Sequence, residues 1–155
     1  MVRMVMVVSW AVVAFSGLVR GQTGYWDQFR GPNGSGELAG ARPPVEIAAD
    51  GAAWKTAVPA GKSSPVLWGD RMFLTGVEGQ RLVTLALDAG SGDVLWKRQA
   101  PEVALERMHQ ANSPAASTPC ADAERVYVYF GSYGLLCYDH AGHELWTKPI
   151  ATPKN

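Results

Sequence analysis

The sequence has no excess of charge of either sign. Its 155 residues include 14 Lys plus Arg and 14 Asp plus Glu, so the formal net charge is zero. Proteins that bind nucleic acid by neutralising phosphates usually carry a strongly basic face or stripe. The balance therefore argues against nucleic-acid binding, and it argues equally against an acidic solvating tail.

Cysteine and histidine are also scarce. The two cysteines, Cys120 and Cys137, are too few for a disulfide scaffold and lack the Cys-x-x-Cys spacing of metal or redox sites. The three histidines are His109, His140 and His143, and the last two lie in one predicted turn without a third ligand nearby. A structural or catalytic zinc ion needs at least three protein ligands, so no zinc site is predicted.

Turn-forming and apolar residues are abundant instead. Apolar residues make up 47% of the chain and charged residues 18%, with 17 Gly and 10 Pro. This composition is typical of a globular protein with many turns rather than of a disordered or coiled-coil protein. The Gly-rich stretch at 31–36 lacks the Gly-Lys-Ser/Thr of a phosphate-binding loop, so it is predicted to form turns.

The N-terminal segment has the pattern of a secretory signal peptide. A basic start at Arg3 precedes an almost unbroken apolar run from Met4 to Val19. A membrane-spanning helix needs about 20 apolar residues, so this run is too short for a stable span. We expect residues 1–21 to be cleaved and the exported chain to begin near Gln22.

The rest of the chain contains two copies of one pattern. Aligned residues lie 54 positions apart at the start of each copy, and the offset falls to 50 at Trp96 and Trp146. We attribute the falling offset to shorter Gly-rich turns in the second copy, because length changes between β-strands usually occur in turns. The aligned pairs at offset 54 are Pro65 with Pro119, Arg71 with Arg125, and Phe73 with Tyr127.

Each copy alternates short apolar runs with turn residues. The runs 82–87 and 125–130 are rich in β-branched and aromatic residues, and 88–92 and 139–142 supply turns. About four strands per copy, repeated at roughly 50 residues, predict the blades of a β-propeller. The predicted fold class is therefore all-β: a partial β-propeller of four-stranded antiparallel blades.

The predicted organisation has six segments. The signal peptide covers 1–21, a lead-in covers 22–63 with the closing strand of a first blade at Trp54-Lys55, blade repeats cover 64–97 and 117–148, an inter-blade loop covers 98–116, and a truncated linker covers 149–155. Fewer than three blades fit, whereas closed propellers use about four to eight. We expect this chain to be the N-terminal part of a longer propeller.

The turns and the residues around them resemble a known family. Ala86–Trp96 and Cys137–Trp146 resemble the A-x-D-x-x-T-G-x-x-x-W repeat of pyrroloquinoline-quinone-type propellers. Trp26–Gly36 resembles the opening of exported bacterial proteins of this kind. The resemblance implies a propeller of seven or eight blades. It also implies one of two functions, since the family includes quinoprotein dehydrogenases and non-catalytic scaffolds such as the outer-membrane assembly lipoprotein.

Six residues of the repeat have a structural interpretation. A Trp buries a large flat surface and keeps an N–H that needs an acceptor, which suits a residue wedged between blades. An Asp can accept hydrogen bonds from the turn that follows, and Gly can adopt positive φ there. The predicted blade-docking residues are Trp96, Trp146, Asp88, Asp139, Gly92 and Gly142.

The inter-blade loop holds the candidate contact residues. Such loops gather on one face of a propeller and commonly carry its binding residues. Arg107, His109 and Asn112 are the polar candidates, and a solvated loop without a binding role is the alternative.

The two cysteines occupy strand positions that the first copy fills with Val66 and Ala86. This favours buried free thiols at Cys120 and Cys137 over a disulfide.

No catalytic, metal or cofactor-binding residue is predicted. The resemblance implies that a quinone-dependent dehydrogenase would need Ca²⁺ ligands, a carboxylate base and often an adjacent Cys pair, and no such pair exists. We therefore expect a non-catalytic binding or scaffold protein, exported to the periplasm or cell exterior, without a cofactor. Its partner would be a protein, a cell-envelope ligand or further blades. The alternative is the N-terminal portion of a dehydrogenase that uses pyrroloquinoline quinone and calcium.

Overall fold

The computed structural model describes residues 25–48 and 50–151, so the predicted signal peptide and the end of the predicted linker lie outside the described residues. Two four-stranded antiparallel sheets form, each with its strands in chain order. The predicted partial propeller of four-stranded blades is confirmed. The first blade contains β1 (Val66–Trp68), β2 (Arg71–Glu78), β3 (Arg81–Asp88) and β4 (Val94–Gln99), and the second contains β5 (Cys120–Ala121), β6 (Arg125–Phe130), β7 (Gly134–Asp139) and β8 (Glu144–Pro149).

The two blades share their strand register. In the first blade Phe73 pairs with Ala86, which pairs with Trp96. The second blade has the equivalent row of cross-strand pairs. In both blades a register shift follows the middle residue of the row, Ala86 in β3 and the corresponding Cys137 in β7. Because the bulge falls at the same position in both repeats, each Trp reaches the same face of its sheet.

The second blade is shorter in its central hairpin, which corrects the expectation that only turns change length. β2 and β3 each have eight residues, whereas β6 and β7 each have six, and the connecting turn grows from 79–80 to 131–133. Removing two residues from each strand keeps every remaining side chain on its original face, since side chains alternate with a period of two. The strands can therefore shorten without disturbing the core.

The main core lies between the blades. One face of the first blade contributes Phe73, Ala86 and Trp96, which pack against the opposite face of the second blade. That opposite face is made of fully buried β6 and β7 side chains, including Val128 and Tyr138. Burial raises the pKa of Tyr138 to about 12, so its hydroxyl remains protonated.

The lead-in runs along the first blade without completing a preceding one. Trp26 forms an isolated antiparallel bridge to Leu67, and Ala60 forms another to Val77. The predicted closing strand at Trp54-Lys55 is wrong, because these residues form no strand. A strand needs a hydrogen-bonded neighbour, and the described residues supply no other strand of that blade. No helix among the described residues has the length and apolar character needed to cross a membrane.

A pair of glycines tests how closely the blades approach. Gly142 and Gly69 both have positive φ, at 82° and 61°, but a Cβ on Gly142 would lie 2.7 Å from the Trp96 ring, whereas Gly69 has open space. Each Gly→Ala change costs about 1 kcal/mol in the left-handed region. We expect Gly142→Ala to lower the free energy of unfolding by about 1–3 kcal/mol more than Gly69→Ala, because overpacking adds to this cost. Urea unfolding measures both values, and equal losses would contradict the close approach.

Candidate functional site: blade docking and the inter-blade loop

Trp96 joins the first blade to the turn of the second. Its side chain is only 7% exposed. Its indole N–H donates to the His140 carbonyl at 3.0 Å, and two residues later Arg98 Nε donates to the Gly142 carbonyl at 2.6 Å. The absence of a Cβ at Gly142 lets the Trp96 ring lie directly against the turn. One aromatic residue and one polar residue on the same strand face therefore bind two backbone carbonyls.

Trp54 makes the same contact with the first blade, although it lies outside any strand. Its indole N–H donates to the Ala89 carbonyl at 3.1 Å, and Thr56 Oγ1 donates to the Gly92 carbonyl at 2.6 Å. A Cβ on Gly92 would lie 2.3 Å from the Trp54 ring. The Ala89 and Gly92 carbonyls are therefore already occupied within this chain.

Each turn is shaped by the Asp that opens it. Asp88 Oδ1 accepts the backbone N–H groups of Ser91 and Gly90, and these hydrogen bonds hold the pKa of Asp88 below its ordinary value. Burial opposes ionisation of Asp139, but hydrogen bonds from the His143 ring and backbone lower its pKa overall. Both carboxylates thus hold the turns that present the carbonyls.

Trp146 faces a side of the second blade on which the described residues include no further blade, so its predicted docking role stays a prediction. It lies on the outer face of the second blade, is 40% exposed, and contacts the Tyr127 ring at 6.3 Å between centroids. Among the described residues it contacts only its own blade, because they include no blade beyond the second. Only its position in the sheet matches that of Trp96.

The two Trp residues should differ in their effect on stability. Trp96→Ala should lower the free energy of unfolding by about 3–5 kcal/mol, because it removes a buried aromatic residue. Trp146→Ala should lower it by about 1 kcal/mol, nearer to the range of surface substitutions. Urea titration followed by circular dichroism measures both. Losses of equal size would show that the outer face is covered in solution.

The inter-blade connection begins later than predicted, because β4 continues to Gln99. Three hydrogen bonds help to anchor it. Lys62 donates from its backbone N–H to the Ala115 carbonyl and from its ammonium group to the Ala111 carbonyl. Glu106 donates its backbone N–H to Ser132 Oγ at 3.0 Å. The loop is therefore attached to the segment before β1 and to the β6–β7 turn.

The three predicted contact residues of this loop are all exposed. His109 Nδ1 accepts the Ala111 backbone N–H at 3.1 Å, and Asn112 Oδ1 accepts the Ser113 backbone N–H at 2.9 Å. Because Nδ1 is an acceptor, the neutral His109 ring carries its proton on Nε2 and presents a donor. Arg107 adds an exposed guanidinium group nearby in the chain. His109 and Asn112 shape the loop, while Arg107 and His109 Nε2 offer donors to a partner.

The cysteines are free, but only one is buried. Cys137 is fully buried, whereas Cys120 is exposed, which corrects the expectation of two buried thiols. Val66, the counterpart of Cys120, is covered by the second blade, and no described blade covers Cys120. Both cysteines pair with Tyr127 from opposite sides, which places their Cα atoms roughly 10 Å apart. A disulfide needs Cα atoms about 4.4–6.8 Å apart, so the fold excludes this bond.

The described residues do not fit calcium-bound pyrroloquinoline quinone on their own. Ca²⁺ takes about six to eight oxygen ligands. Within residues 25–48 and 50–151, no group of three or more His, Cys, Asp or Glu side chains could hold a metal ion. The sequence also contains no adjacent pair of cysteines.

Two functional residues were missed by the sequence analysis. Thr56 and Arg98 each follow a docking Trp by two residues and donate to a Gly carbonyl. Their shared spacing was visible in the sequence, since side chains two apart on a strand face the same way. Their acceptors could not be identified from the sequence, because these lie 36 and 44 residues away.

The two four-stranded blades, with the Trp96 indole N–H of the first bound to a turn carbonyl of the second, define a repeat protein of the pyrroloquinoline-quinone-like propeller class. A family model described as outer membrane protein assembly factor BamB matches residues 45–155, and the chain belongs to this family. A comparison with curated proteins finds no match.

One of the similar solved structures is a europium-containing methanol dehydrogenase. It is 23% identical in sequence, and the alignment has a TM-score of 0.40. The aligned region covers 56% of this chain and 15% of that chain, so this chain spans a small part of the length of that structure.

Proposed function

We propose that this chain is an exported, non-catalytic scaffold that binds a protein partner through its inter-blade loop. The observation that carries the proposal is the family match over residues 45–155, whose description names an assembly factor. The signal-peptide pattern at 1–21 supports export.

The loop geometry supports a binding role. Its hydrogen bonds to Lys62 and Ser132 hold the loop on both sides, so a partner would meet a largely preformed surface. A preformed loop loses less conformational entropy on binding than a free one. This favours recognition by the loop rather than by the blade faces that form the core.

The exposed donors specify the chemistry of the partner. Arg107 carries a permanent positive charge, and His109 presents its Nε2–H as a donor. Neither group has an acceptor among the described residues outside the loop. A protein segment rich in carboxylates or exposed carbonyls would complement them.

The absence of catalysis is tested directly. The purified exported chain should not reduce an artificial electron acceptor when alcohols or sugars are supplied together with pyrroloquinoline quinone and Ca²⁺. A quinone-dependent enzyme as the control establishes that the assay works. Turnover by this chain at about 1 per second or faster, which is typical of enzymes, would overturn the non-catalytic proposal.

The binding role is tested with a fluorescent deca-glutamate peptide as the acidic probe. Arg107→Glu should weaken binding about fivefold or more, because it removes an exposed ion pair and adds repulsion. Arg42→Glu is the matched control, since it makes the same charge change at an exposed position in the lead-in. Fluorescence anisotropy at low and high salt gives the dissociation constants. Equal weakening by both variants would mean that the peptide senses net charge and not the loop.

A further inference from the structure

Two asparagines of the sequence are followed by residues that favour deamidation. Asn33 precedes Gly34, and Asn112 precedes Ser113. In this reaction the backbone nitrogen of the following residue attacks the side-chain amide carbon, so a small following residue favours it. Gly has no side chain to hinder this approach. In an unfolded chain, Asn33 should therefore react before Asn112.

The fold withholds the attacking nitrogen at Asn33. The Gly34 backbone N–H donates to the Gly31 carbonyl at 2.9 Å, within the turn that contains Pro32–Gly34. Attack on the Asn33 side chain requires this N–H to leave its acceptor and lose its proton. A hydrogen bond that must open first slows the reaction. Asn33 is thus protected by its turn although its side chain is exposed.

At Asn112 the attacking nitrogen instead lies against the side chain that it would attack. The Ser113 backbone N–H donates to Asn112 Oδ1 at 2.9 Å. Oδ1 is bonded directly to Cγ, so this contact brings the nitrogen and the amide carbon together. Asn112 is exposed, so water and hydroxide can reach both groups. The fold therefore favours the reaction at this position.

Neighbouring hydrogen bonds hold this arrangement in place. The Asn112 backbone N–H donates to the His109 carbonyl at 2.8 Å. On the other side, Ser113 Oγ accepts the Ala115 backbone N–H at 3.2 Å. Groups that are held close together react with a smaller loss of entropy than groups on a flexible chain. The loop thus keeps the two reacting atoms near each other.

We propose that Asn112 is a site of spontaneous deamidation and that this modification weakens binding by the inter-blade loop. The Ser113 nitrogen loses its proton and bonds to Asn112 Cγ. The Cγ–Nδ2 bond breaks, and the amide nitrogen takes up a proton and leaves as ammonia. Water then opens the cyclic imide at either carbonyl, which gives aspartate or isoaspartate. Water is consumed and ammonia is released, and no oxidant or reductant takes part.

The product places a negative charge among the donors of the loop. Arg107 and His109 lie within five residues of Asn112 in the chain and are exposed. A carboxylate at position 112 would attract these donors and repel an acidic partner. The effect on binding rests on the proposed function, whereas the modification itself does not.

Peptide mapping by mass spectrometry tests the site. The full chain is incubated folded and in guanidinium chloride at the same mildly alkaline pH, in heavy-oxygen water that labels the hydrolysed imide. Folding should raise the ratio of Asn112 to Asn33 modification by about tenfold or more, because the Gly34 hydrogen bond must first open. An unchanged or lower ratio would overturn the proposal.

Asn112→Gln is the matched control for the loop. It keeps a neutral amide at the same position, but its side chain must close a larger ring. The variant should therefore take up almost no label in the loop under conditions that label the unmodified chain. Labelling of the loop to the same extent in both chains would place the reaction at another residue and contradict the assignment.

The effect on binding is measured separately. Ion-exchange chromatography isolates the chain deamidated at Asn112, and fluorescence anisotropy gives its affinity for the deca-glutamate peptide. Binding should weaken about twofold to fivefold, as expected for one exposed charge contact. Asn112→Gln carried through the same incubation should keep its affinity. Unchanged affinity of the deamidated chain would refute the effect on binding, whereas failure of the unmodified chain to bind would refute the proposed function and leave the mapping result to decide the site.

Discussion

The fold depends on one contact, the indole N–H of a Trp on one element bound to a backbone carbonyl in the turn of the next blade. At Trp96 this bond coincides with nearly complete burial of the ring. A buried N–H without an acceptor costs about 1–3 kcal/mol. The ring can therefore be buried only where the neighbouring turn presents its carbonyl, which fixes both the distance and the relative position of the blades.

The other geometry that the two blades share serves this contact. The register shift after Ala86 and after Cys137 aims each Trp at the same face, and Gly142 removes the Cβ that would otherwise hold the Trp96 ring away. The carboxylate of Asp139 accepts the His143 backbone N–H and so holds closed the turn that presents the carbonyls. Because the acceptors are backbone groups, the side chains of the turn are free to differ between blades.

Local signals in the sequence predicted the strands, the turns and Trp96 as a docking residue, because alternation and Gly positions are set by near neighbours. The features that the sequence analysis missed depend on distant parts of the chain. Trp54 docks without forming a strand, Cys120 is exposed because no described blade covers it, and the acceptor of Arg98 lies 44 residues away. The shortened hairpin was also missed, since loss of two residues per strand leaves the alternation unchanged.

The two ends of this pair of blades are chemically unequal, and this gives the stack a direction. Residues 54–60 lie along the first blade and occupy its turn through Trp54 and Thr56. On the second blade, the Trp146 indole N–H and the Lys148 ammonium group have no acceptor within residues 25–48 and 50–151, and in the adjoining row Cys120 and Cys137 replace Val66 and Ala86. Cys137 in that row is fully buried, whereas Cys120 and Trp146 are exposed. Within the part of the chain that the structure describes, the turn carbonyls of the first blade are therefore already bonded by the lead-in, whereas the second blade leaves Trp146 exposed on its outer face.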